Sequence, residues 1–249
     1  MPEATPPPAT PAKRWRLGHA LAVGAIVFVL LYLAIAYLIM PQYWIHYAHH
    51  HPGFDDLPRI TRTGDDIPGD PLNVALAGTE VEVKKIVLAA GWYPADPLTL
   101  RSCLEIAEAT VLKRPYDEAP VSNLYLFGRK QDLAFERPVG DDPRQRHHVR
   151  FWRSDRLYSD GRPIWVGSAV YDRRVGLSEK TGQVTHITAP DIDAERDKLF
   201  ADLQQTGDLS EVLFVDDFHK VREGRNGGGD PWVTDGRLEA GIIDAARIR

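Results

Sequence analysis

The 249-residue chain, 43 % apolar and 26 % charged, has the composition of a folded protein and the length of one sizeable domain with a tail. A net charge of −5 and a pI near 6.0 give no general basic footprint, so nucleic acid is excluded as an expected partner. The single cysteine, Cys103, rules out an intrachain disulfide framework and any CxxC metal knuckle.

Residues 1–16 open with PEATPPPATPAK, which has too little to bury to fold alone and reads as a disordered cytoplasmic tail. Residues 17–40 then form an anchor helix: the run LGHALAVGAIVFVLLYLAIAYLI contains His19 as its one ionisable group. At about 1.5 Å per residue it can cross a hydrocarbon core of roughly 30 Å. A cleaved signal peptide would have a shorter apolar core and a small-residue cleavage site, neither of which fits. Lys13, Arg14 and Arg16 precede the span, and the first basic residue after it is Arg59. The positive-inside rule thus predicts a single-pass protein of the cytoplasmic (inner) membrane with its C-terminal domain outside.

Tyr43, Trp44 and Tyr47 stand where an interfacial aromatic belt is expected. His46, His49, His50 and His51 follow; on a continued helix, three of them would share a face at metal-compatible spacing, but a polar juxtamembrane collar is the favoured reading. Residues 41–71 are therefore a juxtamembrane segment and a proline- and aspartate-rich linker without apolar periodicity.

The remaining residues, 72–249, read as one compact domain. LNVALAG predicts a buried strand, and Thr79 with Glu82 forms a capping box for a helix whose apolar positions are Val83, Ile86, Val87 and Ala90. Asp96 and Pro97 open a second helix, with Leu100, Cys103, Leu104, Ala107 and Val111 on one stripe and Pro115 as its stop. Cys103 is then a small core residue. SNLYLFG, QDLAFER, VRFWR, PIWVGSAVYD and QVTHIT are predicted strands, and Asp160-Gly161 turns VRFWR back on PIWVGSAVYD. Asp191 caps a third helix carrying Ile192, Leu199 and Leu203 and ending at Gly207; EVLFVDDF and GRLEAGII add strands. Without regular βαβ alternation, the class is α+β with a mixed, largely antiparallel sheet and about three helices.

The stretches PLNVAL, AGWYPADPLTLRS, PVSNLYLFGRKQDLAFE, RHHVRFW, TGQVTH, PDIDAERD, VDDFHKVREGRNGGGDPW and TDGR together resemble the C-terminal domain of LssY-like proteins. The resemblance implies a loose association with type I secretion. It also implies a domain often found beside DedA-like or phosphatidic-acid-phosphatase-like membrane modules, and no established activity. A polytopic module is not expected here, nor the phosphatase activity it would bring. Many relatives are expected to carry a second histidine where this chain has Ile187.

Strand alternation keeps the adjacent His147 and His148 from binding one metal ion, placing His148, Arg150 and Trp152 on a polar face and Val149 and Phe151 inward. Such charged faces are most often solvated. If neighbouring strands bring Asp132, Asp172 and His186 to the same face, these residues with His148 and Arg150 form a candidate polar or catalytic site. Arg150 would then bind an anion and a histidine would move protons, with phosphoester hydrolysis as the first chemistry to test.

His186-Ile187-Thr188 is half of an HxT pair and has no second half. Asp191, Asp193 and Glu195 fit a helix N-terminus better than a calcium loop, and GRNGGGDPW fits a tight turn better than a phosphate loop. No GxSxG, HExxH or Walker motif occurs, and the sequence assigns neither a cofactor nor a metal ion. The leading expectation is a membrane-anchored binding or accessory module of envelope transport, secretion or lipid metabolism, with the membrane and other envelope or transport proteins as partners. The alternative is a hydrolase of a phosphorylated lipid or envelope substrate.

Overall fold

The computed structural model describes residues 12–40, 42–43, 59–95, 123–140 and 145–248. The collar of His46, His49, His50 and His51, the second predicted helix with Cys103, and the tail before residue 12 lie outside the described residues.

Helix α1 (Ala12–Ala34) begins within the stretch expected as a tail, just after its last proline, and continues through a π-helical turn at Ile35–Ile39. Within it, His19–Ile39 is long and apolar enough to cross a membrane. From His19 to Ile39 its side chains, among them Leu21, Ile26, Phe28 and Leu38, are mostly exposed, with Ala36 buried.

The expected linker ends earlier than residue 71. Strands β1 (Ile60–Arg62) and β2 (Pro68–Pro71) pair antiparallel across a turn that Thr63 Oγ1 closes by accepting from the amides of Asp65 and Ile67. These strands escape a search for periodicity because each is short and β2, Pro-Gly-Asp-Pro, carries little apolar surface.

Strand β3 (Val74–Ala77) leads into α2 (Glu80–Ala89), whose capping box forms as expected: Thr79 Oγ1 accepts from the Glu82 amide and Glu82 accepts from the Thr79 amide. Strands β4 (Tyr93–Pro94), β5 (Tyr125–Leu126), β6 (Arg129–Lys130), β7 (Leu133–Pro138), β8 (Arg146–Leu157), β9 (Pro163–Leu177) and β10 (Val184–Thr188) follow. Then come α3 (Ile192–Gln205), β11 (Leu209–Val215), β12 (Glu223–Arg225), β13 (Pro231–Val233) and β14 (Leu238–Ile243).

The main sheet runs β11-β14-β3-β9-β8-β7-β4, with β10 against the far half of β9. Its β14–β3 pair is parallel and the other pairs are antiparallel, so the sheet is mixed, largely antiparallel, and the class is α+β as expected. Helices α2 and α3 cover one face, where Val83, Ile86, Leu199 and Phe200 meet Val149, Phe151 and Trp165. The other face is also covered, contrary to the expectation of a solvated charged surface. A small sheet of order β2-β1-β5-β6 lies over it, with Leu72, Leu124 and Trp152 in a second apolar cluster.

One buried acid is a pH-dependent weak point. Glu239 on β14 lies 3.8 Å from Arg196, which already serves Asp193, Asp197 and Asp235. Burial pushes the Glu239 carboxyl up to about 7 from an ordinary 4.5. The folded value lies above the unfolded one, so its stabilising contribution is complete below pH 4.5 and is lost as pH rises through 7. Glu239→Gln is therefore expected to be more stable than the native chain at pH 8 by roughly 1–3 kcal/mol, with a smaller gap at pH 5. Urea unfolding at the two pH values measures this, and parallel pH slopes would rule it out.

Candidate functional site

Strand β8 separates the adjacent histidines, as alternation requires. His147 faces the helix layer, where its Nδ1 lies 2.8 Å from Glu195 Oε2 and its ring packs between Trp92 and Tyr171. It ties β8 to α3 and takes no part in the opposite face. Arg146, His148, Arg150 and Trp152 all lie on that second face and are buried.

Strand register then brings their partners. Arg146 stands opposite Asp172, His148 opposite Glu136 and Val170, and Arg150 opposite Ser168. His186 arrives by a less regular route. Along β10 the pairing runs Val184↔Leu177 to Ile187↔Arg174, then shifts so that Thr188 pairs with Asp172. One extra β9 residue is accommodated there, and it turns His186 and Thr188 to the face of Asp172; in unbroken register they would point away.

The result is a continuous charged network. Asp172 Oδ2 accepts from Arg146 Nε at 3.2 Å and His148 Nδ1 at 3.1 Å, with His186 Nδ1 at 3.9 Å. Arg146 Nη1 also donates to Glu136 Oε2 at 3.1 Å, and its Nη2 lies 3.4 Å from His186 Nε2. Arg150 Nη1 donates to His148 Nε2 at 2.8 Å and lies 3.6 Å from Asp70 Oδ2. Asp70 Oδ1 in turn accepts from Asn226 Nδ2.

These contacts determine the state of His148. A guanidinium only donates, so Nε2 must present its lone pair to Arg150 and Nδ1 must carry the proton given to Asp172. Burial lowers the pKa of His148 and favours this neutral form. His186 is also lowered, chiefly by burial, but it retains some exposure. Burial alone would raise Asp172; the hydrogen bond from His148 and the charge of Arg146 oppose it, and the carboxyl is held well below the usual range.

Beside the network is a cavity of about 320 Å³, bordered by Arg146, His148, Arg150, Asp172 and His186. Its size is at the small end of ligand sites, about 300–1,000 Å³. Asp172, 1 % exposed, lies on the wall with Oδ1 lacking a hydrogen-bond partner among the described residues. Four of the five candidate residues thus converge. Asp132 does not: it accepts from Arg129 Nη2 at 2.9 Å and from the Arg153 amide at 2.7 Å at the β6–β7 corner, away from the cavity.

Arg150 also departs from its expected role, because it is buried and engaged with His148 and Asp70 instead of standing ready for an anion. Asp191 caps α3 as expected, accepting from the amides of Asp193 and Ala194. The GRNGGGDPW turn closes on Asn226 Oδ1, which accepts from the amides of Gly228 and Asp230, and it borders the cavity. Gly227 is required there: a Cβ would fall 2.3 Å from the Thr63 side chain.

Sequence reasoning missed Arg146, Glu136 and Asp70. Arg146 extends the i, i+2 series of His148 and Arg150, a signal that was available; Asp70 lay in the presumed linker. Among the described residues, no group of three or more His, Cys, Asp or Glu side chains has metal-holding geometry.

Compared with known families, residues 54–238 match the family model described as LssY C-terminus. No curated protein and no solved structure matches the chain.

Proposed function

The chain belongs to the LssY C-terminus family, and on that footing we propose that it is a membrane-anchored binding module of the cell envelope whose cavity takes an uncharged, hydroxyl-rich ligand such as a sugar or polyol. The observation that carries this reading is the internal compensation of charge. The guanidiniums of Arg146 and Arg150 are already engaged with Glu136, Asp172 and Asp70, so an incoming anion would meet carboxylates without a dedicated cation. Hydroxyl groups both donate and accept, and suit a wall lined by Asp172, His186, Gln183, Thr185 and Asn123.

The basic residues before the span favour an extracytoplasmic position for the domain. A C-terminal alkaline phosphatase fusion is expected to be active; a stable but inactive fusion would reverse the orientation.

The binding test uses the full chain in phosphatidylcholine nanodiscs, with thermal unfolding followed in glycerol, myo-inositol, methyl glucoside, methyl galactoside or inorganic phosphate. At least one neutral compound is expected to stabilise, by about 2.7 kcal/mol at a hundredfold excess over its Kd. Asp172→Asn and the more exposed His186→Ala are expected to abolish the response. Stabilisation by phosphate alone would overturn the reading.

Hydrolysis of a phosphorylated lipid or envelope substrate is the second reading. It is favoured by His186, a largely neutral imidazole at the cavity wall beside Asp172 and hence a candidate general base. Its measure is turnover of p-nitrophenyl phosphate, native against His186→Ala. Equal background rates would dismiss it.

A further inference from the structure

We infer that the cavity draws its ligand from the bilayer: its occupant is the headgroup of a glycolipid, uncharged and hydroxyl-rich, whose acyl chains run along α1. The inference rests on the polar-site reading above and adds the source of the ligand.

The hairpin of β9 and β10 touches the membrane-length helix well before that helix ends. Tyr32 Oη donates to the Gly182 carbonyl at 2.7 Å, Gln183 Nε2 donates to the Ala36 carbonyl at 3.1 Å, and the Val184 amide donates to Tyr37 Oη at 3.2 Å. Tyr32 precedes Ile39, the end of the apolar span, by a distance of about 10 Å at 1.5 Å per residue. With α1 in a bilayer, the hairpin tip reaches the boundary between headgroups and acyl chains, where amphipathic elements bury their apolar sides about 5–10 Å deep.

The tip is amphipathic: its turn carries Glu179, paired with Arg225, and Lys180, which suit the headgroup side, while apolar side chains flank the turn. Leu177 and Val184 are direct cross-strand partners, and both are exposed, at 55 % and 59 %. In water such a pair is a cost; in the interface it is an anchor.

The same hairpin builds the cavity. Ser178, Thr181, Gln183, Thr185 and His186 border it, and Tyr37 of the helix closes the wall. Tyr37 also borders an apolar groove on the helix, shared with Leu30, Leu33, Ala34 and Leu38. A polar compartment and an apolar track therefore meet at one side chain. Among small molecules carrying hydroxyls, a lipid uses both.

Native mass spectrometry of the full chain, released from nanodiscs containing equal monogalactosyl diacylglycerol, phosphatidylglycerol and phosphatidylcholine, tests the inference. The chain is expected to retain the galactolipid preferentially, and Asp172→Asn to lose it. Leu177→Asp, at the tip and outside the cavity lining, is expected to weaken galactolipid retention about tenfold while leaving the thermal response to soluble methyl galactoside unchanged. A response to soluble galactoside with no galactolipid preference, or with an unaffected Leu177→Asp variant, would leave the polar site standing and overturn the membrane source. Preference for phosphatidylglycerol would overturn the uncharged headgroup. Failure of lipid and soluble sugar alike would overturn both readings.

Discussion

Arg146→Met is expected to destabilise the domain by about 3–5 kcal/mol, the range for removing one partner from a buried ionic network. Methionine keeps much of the arginine stem's volume, so the loss reports charge and hydrogen bonding more than a cavity. Arg146 bridges Glu136 and Asp172, both almost fully buried, and without it these carboxylates face each other with less compensation. Urea unfolding of the full chain in nanodiscs gives the difference. Combining Arg146→Met with Glu136→Gln and Asp172→Asn is expected to recover a large part of it, because the uncompensated charges are then gone. A single-variant loss below about 1 kcal/mol, the range of exposed pairs, would mean that the network is not ionised as described.

Asn73→Ala is the second large effect, expected to cost about 3 kcal/mol or more through buried backbone groups left without partners. The Asn73 amide group donates to the carbonyls of Ala169 and Ile192 at 2.9 and 2.8 Å and accepts from the Ala169 amide at 2.8 Å. Its own backbone donates to Gly167 and accepts from Glu239. One side chain thus fastens β3, the middle of β9 and the first turn of α3. Amide hydrogen exchange checks the cause as well as the size: the Ala169 amide is expected to lose protection in the variant. A change within about 0.5 kcal/mol would remove Asn73 from this role.

The parts legible in the sequence were those governed by local rules. The capping box at Thr79 and Glu82, the turn at Asp160-Gly161 and the opposite faces of His147 and His148 follow from residues a few positions apart. What escaped depends on contacts between distant segments. The β1–β2 hairpin is held by backbone pairing and Thr63, which no apolar pattern reports. Of the site, Arg146, Glu136 and Asp70 escaped; His186 was among the candidates, but the shift in β9–β10 register that turns it to the site is a single added residue and leaves no compositional trace. Asp132, by contrast, was an attractive candidate for its position beside a strand, yet an arginine three residues away and the Arg153 amide claim it. Local partners compete with distant sites, and only geometry decides between them.

Strand β9 links three levels of the molecule. Gly167 pairs with Val74 in the core, Asp172 with Arg146 at the site, and Leu177 with Val184 at the tip. Each interval is about 17 Å of extended chain, slightly shortened in the second by the bulge. The strand therefore works as a ruler: the elevation of the cavity above the tip is built into one rigid element, and changes in the connection between α1 and β1 would leave that elevation untouched.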